Sequence, residues 1–409
     1  MNNNKPEISG EFSNLIQESS EMDVEVNSSN SLSNDLAKWF MSYNIPHRAA
    51  SSLLKLLKNN GHNELPGDVR TLLSTPKNTY SQIIEEGGGT SAYFGLANGL
   101  IRSIERFHKS APKSIKIDIN VDGLPIAKSS GSQFWPILCS LVSSDFISEP
   151  FIIKIFHGLK KPENVNLFLQ TFIEEASVIL EHGIIFNNKP VQVTINAIIC
   201  DAPARAFICG IKNHSGYFGC GKCIQEGNFL ENRVVFPEVS ATLRTDQSFK
   251  NRSQPEHHIS LSDLEKLNIG MVSQVPLDYM HLICLGVMKR LLIFWVRGRM
   301  DVRIKKTLLP LVINRCSSVK RTVTKEFSRS ARSVLEVDRW KATEFRQFIL
   351  YSGIFILKDI LPRPFYEHFL SISIAIRILA DEEYHTSMFD YASELLNYFV
   401  KKIWKFIWK

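Results

Sequence analysis

Two aspartates in this chain each sit where an apolar run ends. Asp122 closes Ile115-Lys-Ile-Asp-Ile-Asn-Val-Asp122 and is followed by Gly123. Asp201 follows the apolar run 191–200 and opens Asp201-Ala-Pro-Ala-Arg205. Two-metal phosphoryl transfer requires carboxylates delivered from different elements, so that the cations can activate the attacking oxygen and stabilise the leaving one. Hard oxygen ligands of this kind suit Mg²⁺ or Mn²⁺. A third acid would come from a helix packed back on the sheet. Glu344, near the start of a long periodic segment, is the candidate, with Glu336 and Glu367 close by. Asp118 rivals Asp122, because it lies four residues earlier on the same strand face.

A second chemistry is soft-ligand metal binding. Cys220-Gly-Lys-Cys223 has the spacing of half a zinc site. The other ligands must come from His214, His257, His258, Asp278 or His281, and Asp278 and His281 are spaced to share one face at a helix start. The cysteine pair does not lead directly from a strand into a helix, which argues against a thioredoxin-like redox role. Gly87-Gly88-Gly89 lacks the Lys-Ser/Thr of a phosphate-binding loop. Taken singly, these residues are turn acids, reduced thiols and core or surface histidines; only their convergence would make a site.

The elements that must position them follow from periodicity. Ile115, Ile117, Ile119 and Val121 alternate with polar residues and predict a strand ending at Gly123 and Pro125. Further strands are predicted over 134–142, 151–156 and 191–200. A helix is predicted over 162–182, with Pro162 in its first turn, an apolar stripe through Phe168, Phe172 and Ala176, and Gly183 at its end. Strand, strand, strand, helix, strand is the opening order of an RNase H-like fold, an order that other α/β folds share. A helix over 202–212 should follow Asp201. Residues 213–275 read as irregular, and a long helix begins after Pro276. Upstream, two short helices with a turn at Asn44-Ile45-Pro46 are predicted within 34–58, turn-rich linker within 59–80 and helix over 92–108. The expected organisation is a disordered acidic leader (1–33), a helical N-terminal region (34–110) and the first part of an α/β catalytic core (111–212). An insertion carrying the Cys-x-x-Cys and Asp-x-x-His motifs (213–335) and a helical end bearing Glu344 (336–409) complete it.

The formal charge is +7 overall but −5 within residues 1–34, which leaves +12 for the remainder. A basic body with an acidic leader suits a polyanion partner such as DNA. Ten lysines and arginines lie within 299–332; they would contact phosphates without reading sequence, or else form a solvated helix face. An odd cysteine count, seven, in a chain that opens without an apolar leader points to a reducing compartment. Cys139, Cys200, Cys209 and Cys284 have apolar neighbours and read as core. Apolar runs are too short to span a bilayer, so no membrane association is expected.

Several segments together resemble the CACTA (En/Spm-type) DDE transposases, in the form found in animal transposase-domain proteins. They are Asn120-Val-Asp-Gly123, Ser130-Gly-Ser-Gln-Phe-Trp-Pro136, His157-Gly-Leu-Lys-Lys-Pro-Glu-Asn-Val-Asn-Leu-Phe-Leu169 and Cys200-Asp-Ala-Pro-Ala-Arg205. His214-Ser-Gly-Tyr-Phe-Gly-Cys-Gly-Lys-Cys223, Pro276-Leu-Asp-Tyr-Met-His-Leu-Ile-Cys-Leu-Gly-Val-Met-Lys289 and Arg339-Trp-Lys-Ala-Thr-Glu-Phe-Arg346 continue the match. The resemblance implies an RNase H-like core with a zinc-binding, largely helical insertion and a helical C-terminal part. It implies Asp122, Asp201 and Glu344 as the catalytic triad, holding two Mg²⁺ or Mn²⁺ ions. Asp278 and His281 resemble the Asp-x-x-His signature that lies between the second acid and the glutamate. The implied activity is cleavage of DNA at transposon ends and strand transfer by the freed 3′-hydroxyl, with transposon-end and target DNA as partners, a nuclear location, and room for a homo-oligomer. Relatives continue into further helical sequence past the position of Lys409, so a shortened copy is expected. A catalytically inactive derivative that still binds DNA or protein is the alternative.

Overall fold

The computed structural model describes residues 32–43, 45–75, 83–107, 111–127, 129–143, 146, 148–324, 326–327, 329 and 332–407. The expected acidic leader lies outside them up to residue 31. The chain forms two compact units, Met1–Ser81 and Gln82–Lys409. In the first, helices Leu32–Ser42 and His47–Asn59 and the short turn Val69–Leu72 gather Phe40, Ala50, Leu54, Leu65 and Val69 into a small core. The two predicted helices are therefore present, and Asp68 caps the third by accepting from the Arg70 N–H at 2.8 Å.

The second unit holds the candidate chemistry. Its strands are β1 (Ile83–Glu86), β2 (Gly89–Tyr93), β3 (Ser114–Val121), β4 (Leu124–Pro125), β5 (Gln133–Val142), β6 (Phe151–Gly158), β7 (Ile184–Phe186) and β8 (Lys189–Cys200). They form one mixed sheet in the order β1-β2-β6-β5-β3-β8-β7, with β4 paired to β5. Neighbours run antiparallel except β3 and β8, which run parallel. A parallel pair needs a long crossover, and helix Val165–His182 provides it. Alternation fixes β3: Ile115, Ile117, Ile119 and Val121 are buried, while Lys116 and Asp118 face the less covered side.

Residues 83–93 form a hairpin that extends the sheet and that the sequence pattern does not mark, with Gly87 and Gly88 at positive φ in its turn. Two sequence expectations are corrected. Pro162 lies before the crossover helix, whose cap is Asn164; its side chain accepts from the N–H groups of Asn166 and Leu167. The helix after Asp201 stops at Ile208, because Gly210 turns the chain at φ +64°. Residues 213–275 are irregular as expected, holding one two-stranded ribbon and the short helix Asp246–Lys250, so helix dominates only from Met280 onward.

Two large hydrophobic cores, and a small cluster of Ala375, Ile378 and Ala392, fill the second unit. One core joins the face of the sheet that carries Ile117, Ile119, Ile137 and Cys139 to helices Leu96–Phe107 and Val165–His182. The other is helical, around Trp295, Phe345, Phe348 and Phe369. A charged pair lies inside the first: Lys154 on β6, 1% exposed, donates to the Glu86 carboxylate at 2.7 Å and to the Phe168 carbonyl at 2.8 Å. Ser91 also donates to Glu86. This knot ties hairpin, central sheet and crossover helix together. Removing one partner strands the other charge. Lys154→Ala should therefore lower the unfolding free energy by about 3–5 kcal/mol, while the double change Lys154→Met with Glu86→Leu recovers most of it. Urea denaturation of the three proteins measures this.

Candidate functional site

The register of the parallel pair sets the site. Val121 of β3 lies beside Cys200 of β8, so the next residues, Asp122 and Asp201, leave adjacent strand ends about 4.8 Å apart in backbone spacing. Each carboxylate keeps one oxygen on the local backbone. Asp122 accepts from the Gly123 N–H at 2.8 Å. Asp201 accepts from the Ala204 N–H at 2.7 Å and so caps helix Ala202–Ile208. Asp118, the rival acid, accepts instead from the Asn196 amide at 2.8 Å on an exposed stretch of the strand pair.

Burial, and then the charge of Asp201, push the Asp122 carboxyl above the usual aspartate range; His281 and Asp278 act on it with opposite signs. Asp278 and His281 are thus electrostatic neighbours of the pair, although they lie far along the chain. Gln274 brings them there. The β3–β8 register slips between Ile117 and Asp118. Gln274 closes the slip: its carbonyl accepts from the Ile198 N–H at 2.8 Å, and its side-chain amide donates to the Ile195 carbonyl at 2.6 Å. Four residues on, Asp278 accepts from the N–H groups of Met280 and His281 and from the His281 Nδ1, opening the helix that runs through Met280–Met288 and Lys289–Arg297. The first nine residues of that helix are π-helical. A π-helical stretch often marks a functional segment.

Glu344 is on helix Ala342–Gln347, which packs against the Met280–Met288 segment. Its side chain is 1% exposed. One oxygen accepts from the Lys341 N–H at 2.8 Å, and the other lies 3.4 Å from the Arg332 Nε without forming a hydrogen bond. Arg332 in turn donates to the Arg339 carbonyl. In this arrangement Glu344 serves the start of its own helix. Among the described residues no three of His, Cys, Asp and Glu stand together as a metal-holding group.

The thiols of Cys220 and Cys223 are 3.2 Å apart. Arg244 secures their loop by donating to both cysteine carbonyls. Cys220, His214, Asp278 and His281 line one cavity of about 900 Å³, with Arg205 and Lys222 on the same wall. Of the proposed zinc ligands, His281 is engaged by Asp278 and His214 is exposed. His257 is fully buried; its Nδ1 meets the Phe218 carbonyl at 2.6 Å, and its Nε2 has no partner. Both ring nitrogens of His258 are likewise unpartnered. Burial pushes both histidines down to about 4.

Part of the basic stretch 299–332 is engaged locally. Arg299 pairs with Asp301, Arg315 donates to the carbonyls of Phe355, Ile356 and Lys358, and Arg332 is held as described. Lys305, Lys306, Lys320 and Arg321 remain exposed, and Lys325 lies outside the described residues.

No family model matches the chain, and comparison with curated proteins returned no match either. The site therefore rests on its geometry.

The raised Asp122 pKa has a consequence for stability. The folded state holds that proton more tightly than the unfolded state, so stability falls as pH rises from the ordinary aspartate value through the raised one. At neutral pH, in a chelator, the folded protein bears the repulsion in full. Asp201→Asn keeps an N-cap side chain but removes the charge. It should raise the melting temperature at neutral pH, with the gain fading as pH falls through the raised Asp122 pKa, where that carboxyl takes up its proton and the repulsion ends. Melting curves across pH, with NMR titration of Asp122, check this.

Proposed function

We propose that the chain is a DDE transposase-like protein, whose RNase H-like core performs metal-dependent cleavage and strand transfer on DNA. One observation carries the reading. Two carboxylates are held side by side at the ends of the parallel strand pair β3–β8, and the charge of one resists ionisation of the other. A divalent cation relieves that repulsion. The strand order β6-β5-β3-β8, with three antiparallel strands and a fourth returning parallel to the first, is the order expected of such a core.

Asp122 and Asp201 fit a Mg²⁺ or Mn²⁺ ion: each has one backbone-held oxygen, which leaves the other available. When bound, a pair of such ions activates the attacking water or 3′-hydroxyl and stabilises the leaving oxygen. Asp278 orients His281 through its carboxylate, and His281 adds a donor or a positive charge beside the aspartates. Glu344 is the proposed third ligand, through the oxygen that here faces the Arg332 guanidinium without a hydrogen bond. The thiols of Cys220 and Cys223 fit half of a structural zinc site, with Asp278, His281 or His214 proposed to complete it. DNA ends and target DNA are the proposed partners, with a nuclear location and a homo-oligomeric state.

The buried Glu344, committed to its own helix start and facing Arg332, favours a second reading. In it, the protein is a catalytically inactive, transposon-derived DNA- or protein-binding protein.

Mn²⁺ or Mg²⁺ should raise the melting temperature of the parent protein but not of Asp122→Asn. On terminal-repeat DNA the parent should nick and join a 3′-end, and Asp122→Asn or Asp201→Asn should each lose more than about 100-fold, beyond the usual effect of changing a residue that only hydrogen-bonds a metal ligand. Salt-dependent DNA binding with no metal-induced stabilisation and no cleavage would instead establish the inactive derivative.

A further inference from the structure

The least explained charge near the site is Arg205. It lies one turn beyond Asp201 on helix Ala202–Ile208 and is only 8% exposed. Its Nε has no hydrogen-bond partner, and among the described residues no carboxylate pairs with its guanidinium. Arginines at such depth are ordinarily paired, because an uncountered buried charge destabilises the fold. The guanidinium lies along the cysteine loop, 3.6–3.7 Å from where a Cβ on Gly221 would stand. Next on that loop, Lys222 donates to the neutral carbonyls of Val272 and Val275, so its positive charge is not neutralised by these contacts. Two cations thus stand close together on one wall of the cavity.

Both residues face the cavity of about 900 Å³, whose wall also carries Lys289 and Arg290 against the single acid Asp278. That space far exceeds one phosphate and is of the size that holds an organic ligand of several rings. Leu277, Leu285 and Phe294 supply an apolar wall beside the cations. Cations that track a backbone beside apolar and aromatic surface are the pattern of single-strand nucleic-acid binding.

We propose that Arg205, supported by Lys222, seats a phosphodiester of a single nucleic-acid strand entering this cavity, next to the phosphate that Asp122 and Asp201 address. The placement beside the reacting phosphate rests on the phosphoryl-transfer reading; the phosphate seat itself needs no metal. Arg205 binds and positions the strand. The bidentate fork of arginine matches two phosphate oxygens, which a lysine point charge cannot do.

Binding of a labelled single-stranded oligothymidylate, followed by fluorescence anisotropy in a chelator, tests this. Arg205→Met should weaken binding about 10-fold or more, as expected for one charge-assisted contact. It should also flatten the salt dependence by about 0.7 in the log–log slope, one single-strand phosphate. Arg205→Lys should retain part of the affinity and most of the slope. Without nucleic acid, Arg205→Met should melt no lower than the parent, since it removes an uncountered buried charge. Unchanged oligonucleotide affinity and slope in both variants, together with a lower melting temperature for Arg205→Met, would make Arg205 a structural residue and overturn the proposal. Inorganic phosphate that binds through Arg205 as well as the oligonucleotide does would overturn the strand assignment. Because binding is read in a chelator, the phosphate seat is measured without metal chemistry, so failure of the seat and failure of the phosphoryl-transfer reading are told apart.

Discussion

The second unit depends on the parallel pairing of β3 with β8. Among the described strands this pair alone runs parallel, and its register puts two carboxylates at neighbouring strand ends. Like charges at that spacing repel, and partial burial strengthens the repulsion by keeping water away. Burial of Asp122 and then the charge of Asp201 together raise the Asp122 pKa. A fold selected only for stability would place an amide at one of the two positions. The presence of both acids where they oppose folding is the physical reason for proposing that they hold a cation for phosphoryl transfer.

The surroundings converge on the same point. The Lys154–Glu86 knot locks the hairpin, the meander and the crossover helix into one body, which holds the parallel pair in register. Gln274 fills the slip in β8 and carries the chain back to the strand ends, where Asp278 and His281 start the π-helical segment. Arg205 and Lys222 make the adjoining wall positive. The helical core then packs Glu344 onto that same π-helical segment. Its carboxylate is turned toward Lys341 and Arg332, so completing a triad would take a local rearrangement at one helix start.

Much of this was legible in the residues. Alternation of Ile115, Ile117, Ile119 and Val121 located β3, and the apolar run before Asp201 located β8, because a strand's two-residue period leaves a clear mark. The crossover helix showed in its apolar stripe and in Gly183. The hairpin at 83–93 did not show: it is short, its β1 residues are largely exposed, and its stability comes from pairing with β6. The role of Gln274 also left no signal, since one glutamine in an irregular segment looks like surface. Arg205 was visible one helical turn after Asp201, but only burial without an acceptor distinguishes it from an ordinary surface arginine. The 299–332 stretch looked uniformly basic, yet Arg299, Arg315 and Arg332 are engaged by local partners that only the folded chain brings near.

The central claim is that Asp122 and Asp201 are paired to hold a divalent cation. Anomalous diffraction from crystals grown with Mn²⁺ tests it most directly. The account predicts a manganese peak between the two carboxylates, within about 2.0–2.3 Å of an oxygen of each, the range of divalent-metal–carboxylate bonds. A saturated crystal with manganese bound elsewhere, and the two carboxylates bridged only by a shared proton or water, would contradict it.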